Sequence, residues 1–223
     1  IHQDIRQENS IGYKLSDEYI LPRLKEGCRS ITIPNLVGMA NWMFPGLSIL
    51  GRTMKAMGSS GYVFYKEEPL DKAVEMQCYT LEEYRNFWMN YVYTEEELTE
   101  KWKNDMEKLW KREANWDVKI AQFILDNYKK IPCFVDLSHP SKYVMREIGR
   151  QVAEMLRLDD IDDSEYESNL GVPVPVIPAV RKHFNLEFDV PCERRKYFGK
   201  KVVDDIDDYI RAYLWWMHEI CIP

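Results

Sequence analysis

Apolar residues in the middle of the chain recur with the period of a helix. Leu81, Tyr84, Phe87, Trp88 and Tyr91 fall three and four residues apart, on one helical face over residues 80–93, and Thr80 stands at the N-cap position. Thr94 opens a second helix, with Glu95, Glu96 and Glu97 at its positive end and Leu98, Trp102, Met106, Leu109 and Trp110 along one face. A third helix is expected over residues 117–130, which makes residues 80–130 a helical hairpin or small bundle inserted in one domain over residues 1–223. Residues 141–158 form a strong amphipathic helix with Val144, Ile148, Val152, Met155 and Leu156 on its apolar face. Shorter helical pieces are expected over residues 16–26 and 180–184, and a last long helix over residues 202–220.

The strand signals are fewer and shorter. Residues 30–34 (Ser-Ile-Thr-Ile-Pro) are β-branched and stopped by proline, and residues 131–135 are a short apolar run. Residues 35–61 read as a partly helical connection, with turns at residues 44–46 and 58–61. Residues 171–178 alternate Val and Pro, an extended stretch unfit for a central strand. Residues 1–6 read like the end of a buried strand, so further residues of the same domain are expected upstream of Ile1. Many helices and few strands predict an α/β domain, helix-rich, with a small and mainly parallel sheet covered by helices.

Composition narrows the functional classes. The chain is 45% hydrophobic and 30% charged, and its length suffices for a large core without staples. A net charge of −7 argues against general nucleic-acid binding, which needs a basic footprint. The five cysteines are odd in number and widely spaced, which favours a reducing, cytoplasmic setting over a disulfide framework or a zinc ribbon. No apolar run approaches the length of a membrane span.

The segment Cys133-Phe134-Val135-Asp136-Leu137-Ser138-His139-Pro140-Ser141 carries the strongest chemical signal. It leads from an expected strand into a helix, at the kind of sheet edge where α/β proteins place ligands. An Asp three residues before a His can accept from one ring nitrogen and leave the other to act as a base. The competing reading is structural: Asp136 or Ser138 caps the next helix, and His139 is a surface side chain.

Asp136, His139, Pro140 and Ser141, followed by Gly149, Val152 and Ala153, resemble the last conserved block of the SGNH/GDSL hydrolases, where Asp and His complete a triad with an upstream Ser. The rest of the chain resembles more closely the WcbI-type capsular polysaccharide biosynthesis proteins, thought to be acyltransferases that use coenzyme A. The matching pieces follow in order: residues 1–6, 16–24 and 31–35, then Phe44-Pro45, the His-Pro-Ser block and residues 174–178. The resemblance implies an SGNH-like three-layer fold and transfer of an acetyl or similar group from acetyl-coenzyme A to a sugar hydroxyl, without metal. It makes His139 the general base and Asp136 its orienter. The family's Gly-Asn-Cys-Gln signature, which would supply a nucleophilic cysteine, does not occur in residues 1–223. Either the nucleophile lies upstream of Ile1 or this chain does not use one. Cys133 is read as a buried structural thiol.

Gln3, Arg6, Asn35, Ser138 and Ser141 are the candidate contacts to the acyl donor, set against turn chemistry and surface charge as the plainer account. Arg194, Arg195, Lys196, Lys200 and Lys201 form the main basic cluster, fit for phosphates or simply solvated. The acidic run at Asp159, Asp160, Asp162 and Asp163 lacks the glycine and distal Glu of a calcium loop. Two further functions compete with the transferase: an SGNH-like esterase using the same Asp136–His139 pair, and a helical interaction module without catalysis.

Overall fold

Thr80 and Thr94 start their helices by the same device. In the computed structural model, which describes residues 1–3, 17–49, 65–158, 174–188, 195–197, 201–203 and 205–223, each threonine hydroxyl accepts the backbone N–H three residues on. The Glu at that position, Glu83 or Glu97, accepts in return from the threonine N–H at 2.8 Å. The box satisfies two of the N–H groups that a helix start leaves open.

In chain order the elements are β1 (His2–Gln3), α1 (Asp17–Ile20) with a 3-10 turn at Leu21–Arg23, β2 (Thr32–Ile33), β3 (Leu47–Ile49), β4 (Tyr65–Glu67), α2 (Glu68–Glu75), α3 (Leu81–Met89) and α4 (Glu95–Glu113). Then follow α5 (Ala121–Asn127), α6 (Lys142–Leu156), α7 (Pro178–Phe184), β5 (Arg195–Tyr197), β6 (Lys201–Val203) and α8 (Ile206–His218). The described residues form a helix-rich α/β protein with few strands.

The strands of the described residues pair two by two. β1 and β2 are parallel, with His2 opposite Thr32 and Gln3 opposite Ile33. On the other edge of β2, the N–H groups of Asp117 and Val118 donate to the Thr32 carbonyl, and Asp117 Oδ2 accepts the Thr32 N–H at 2.7 Å. The pairs β3–β4 and β5–β6 are antiparallel. For β5–β6 the link is only three residues, too short for the crossover a parallel pair needs.

Three expectations are corrected. Residues 131–135 form no strand: Phe134 makes a single antiparallel bridge to Pro140, because the run folds back on its own continuation. The expected helix over residues 117–130 is confined to α5, since Asp117 and Val118 are committed to β2. The last helix begins at Ile206, where the Asp205 side chain caps the Asp208 N–H at 2.9 Å, and residues 201–203 are strand.

Two clusters hold the helices together. Trp42 is 1% exposed and meets the rings of Trp102, Tyr128 and Phe184 edge-on, at centroid distances of 4.9, 5.7 and 5.2 Å. These T-shaped contacts join the turn before β3 to α4, α7 and the end of α5. Leu70, Tyr84, Trp88, Ile210 and Leu214 are buried where α2, α3 and α8 meet. Among the described residues no helix is long and apolar enough to cross a membrane.

Candidate active site

The turn between residues 133 and 141 is tied across its base. Val135 donates its N–H to the His139 carbonyl at 3.0 Å, and Ser141 donates to the Cys133 carbonyl at 2.9 Å. Two other segments hold it from outside. Val174 donates to the Val135 carbonyl at 2.9 Å, and Gly38, in the left-handed region at φ +72°, donates to the Leu137 carbonyl at 3.1 Å. A side chain at a positive φ is strained, so glycine suits position 38.

Asp136 fills this turn. It is 1% exposed, and its Oδ1 accepts the N–H of Ser138 at 2.7 Å and of His139 at 2.9 Å. Its two oxygens lie 2.9 and 2.8 Å from Nδ1 of His139. The N–H groups it satisfies therefore belong to its own turn, and the N-cap of α6 is Ser141. The helix-cap account of Asp136 fails on this point. Nδ1 faces an acceptor and so carries the proton, which leaves Nε2 as the basic nitrogen. The His139 side chain is 36% exposed while its partner is dry. The hydrogen bond that His139 donates to Asp136 raises the His139 pKa above its ordinary value, against the opposing effect of partial burial.

Of the other candidates, Gln3, Asn35, Ser138 and Ser141 lie among the described residues. Gln3 ends β1 opposite Ile33, and Asn35 follows β2 by two residues. Asn35 Oδ1 accepts the Val37 N–H at 3.3 Å, the turn chemistry expected of Asn after Pro. The turn it starts contains Gly38 and so touches the Asp136–His139 turn directly. Ser138 is half-buried beside His139. Ser141 is buried and makes no side-chain cap bond, and its Oγ has no partner among the described residues. Arg6, Arg194, Lys200 and the acidic run at residues 159–163 lie outside the described residues.

Cys133 is fully buried, and burial pushes its thiol up to about 12. A thiol in that state holds its proton at neutral pH. Among the described residues no group of three or more His, Cys, Asp or Glu side chains could hold a metal. A shallow pocket bordered by Phe44, Leu47, Glu67 and Val174 contains neither Asp136 nor His139. Its one ionisable residue, Glu67, is 1% exposed and gave no sequence signal.

The model of a family described as polysaccharide biosynthesis enzyme WcbI matches residues 1–160. A solved structure of WcbI, described as a polysaccharide biosynthesis enzyme in its native form without a disulfide bond between coenzyme A and one of its cysteines, is similar with a TM-score of 0.63 and 17% identity. The alignment covers 96% of this chain and 70% of that one. At that identity the likeness is one of fold. A search of the curated proteins gave no match.

Proposed function

This chain belongs to the WcbI family of polysaccharide biosynthesis enzymes, and from that premise we propose that it is an acyltransferase acting on a sugar hydroxyl, with acetyl-coenzyme A as donor. The observation that carries the reading is the Asp136–His139 pair: a dry carboxylate on Nδ1 of a half-exposed histidine. The coenzyme A named with the solved relative supports the choice of donor.

The donor thioester supplies the acyl carbonyl. His139 Nε2 takes the proton from the sugar hydroxyl as its oxygen bonds to that carbon. Asp136 steadies the imidazolium that forms, and Nε2 returns the proton to the departing sulfur as the C–S bond breaks. Where a nucleophile of the natural chain takes the acyl group first, the same pair deprotonates it and protonates the departing coenzyme A sulfur, then deprotonates the sugar hydroxyl and returns that proton to the nucleophile as the acyl group leaves it. Ser138, Asn35 and Gln3 are proposed to line the donor site, and Arg6 and Ser141 to complete it. We place the reaction in the cytoplasm, in one three-layer domain whose parallel core includes β1 and β2, with residues 80–130 inserted.

The test is transfer of the acetyl group to oligosaccharide acceptors by the full natural chain, followed by mass spectrometry. Acetylated product formed by wild type and absent with His139→Ala supports the reading. Equal product from both proteins rejects it. Acetate release without sugar product points to the esterase reaction of the same pair.

A further inference from the structure

The turn carrying Asp136 and His139 touches the turn at residues 35–42, and that turn is gripped from α4. Asp105, 2% exposed in the middle of α4, accepts the side-chain N–H of Asn41 at 2.9 Å on one oxygen and the backbone N–H of Trp42 at 3.0 Å on the other. Asn41 Nδ2 also donates to the Gly38 carbonyl at 2.9 Å. Two turns of helix further, Arg112 Nη1 donates to the carbonyls of Asn35 and Val37 at 3.3 and 3.1 Å. Gly38 then donates its N–H to Leu137, between Asp136 and Ser138.

We infer that Asp105 is a positioning residue for His139, acting through Asn41, Gly38 and the Leu137 carbonyl. An acid buried in mid-helix is costly unless it is satisfied. Both Asp105 oxygens accept from a turn outside α4, while Lys108 of the same helix lies 3.9 Å from Oδ1, and that turn's one described backbone link to the 133–141 segment ends next to Asp136. The Asp136–His139 contact needs Nδ1 near both oxygens, and so depends on where residues 136–139 sit. α4 lies within the segment expected to be an insertion; in this account that segment braces the site. Arg112 is the second arm of the brace.

The inference rests on His139 being the reacting base, but its test needs no substrate. The side-chain resonance of His139, assigned by its loss in His139→Gln, is titrated in the full natural chain. In wild type it titrates above the ordinary histidine value. In Asp105→Ala it is expected to move down toward that value, with the Gly38 amide exchanging about tenfold faster. Asn41→Ala, which leaves the acid in place, is expected to shift His139 the same way, and it decides the matter if Asp105→Ala does not fold. An unchanged His139 titration in a folded variant overturns the brace. If the shift is seen while His139→Ala still transfers acetyl groups, the brace stands and the proposed function falls.

Discussion

Asp136 serves His139 twice, accepting its backbone N–H on Oδ1 while both carboxylate oxygens face its Nδ1. Asp136 thus sets the tautomer of the imidazole and ties the ring to its own turn. Asp136→Asn keeps the shape but presents an N–H₂ group to the ring. Acetyl transfer should fall about 10²- to 10⁴-fold with the fold retained. Asp136→Ala leaves the Ser138 and His139 N–H groups without their acceptor, at about 1–3 kcal/mol for each that water cannot reach. Urea denaturation should separate the two variants. A fully active Asp136→Asn would remove the pair from the mechanism.

The raised His139 pKa fixes the sense of the pH profile. A general base works deprotonated, so kcat/KM should rise with pH through the raised value, and the midpoint should move down in Asp136→Asn. The stability effect runs the other way. A histidine whose folded pKa lies above its unfolded one stabilises fully below the unfolded pKa and loses that contribution as pH rises through the folded value. Rate–pH curves for both proteins, with denaturation at each pH, check the two trends together.

Cys133 sits six residues before His139, yet its buried thiol is held in the protonated form. In native protein a maleimide should modify exposed Cys28 and Cys221 and spare Cys133, as read by peptide mass spectrometry. Cys133→Ala should keep its acetyl transfer. Loss of transfer in a folded Cys133→Ala protein would make that thiol part of the chemistry.

What the sequence made legible was local. The boxes at Thr80 and Thr94 span three residues each, and so does the Asp136–His139 contact, which spacing alone suggests. Residues 131–135 misled because an apolar run does not say whether it pairs with a distant strand or with its own continuation. Val202 and Val203 extend the apolar pattern of α8 backwards, and only the Asp205 cap marks where the helix begins. Asp105 and Glu67 were illegible. Their partners Asn41 and Tyr209 lie 64 and 142 residues away, and nothing beside either acid marks it as buried.

Glu67 gives a stability prediction independent of catalysis. Its carboxyl group, buried where β4 meets α2, accepts from Trp88 Nε1 of α3 and from the Tyr209 hydroxyl of α8, while its own N–H donates to the Tyr213 hydroxyl at 2.7 Å. Tyr213 donates in turn to Asp71, which also meets His218. Burial raises the Glu67 pKa to about 7, with the nearby Asp71 charge adding to the rise and the two donors opposing it. The folded state therefore holds a proton that the unfolded chain releases near 4.5. Stability from this group is fully present below the unfolded pKa and is lost as pH rises through about 7. The full effect is about 3 kcal/mol. Glu67→Gln keeps an acceptor for Trp88 and cannot ionise, so its stability should vary less between pH 5 and 8 than that of wild type, on the order of that difference. Urea midpoints across that range measure it. Parallel curves for the two proteins would mean that Glu67 is ionised in the fold, and that α8 is held to α2 and α3 by a charged group rather than a neutral one.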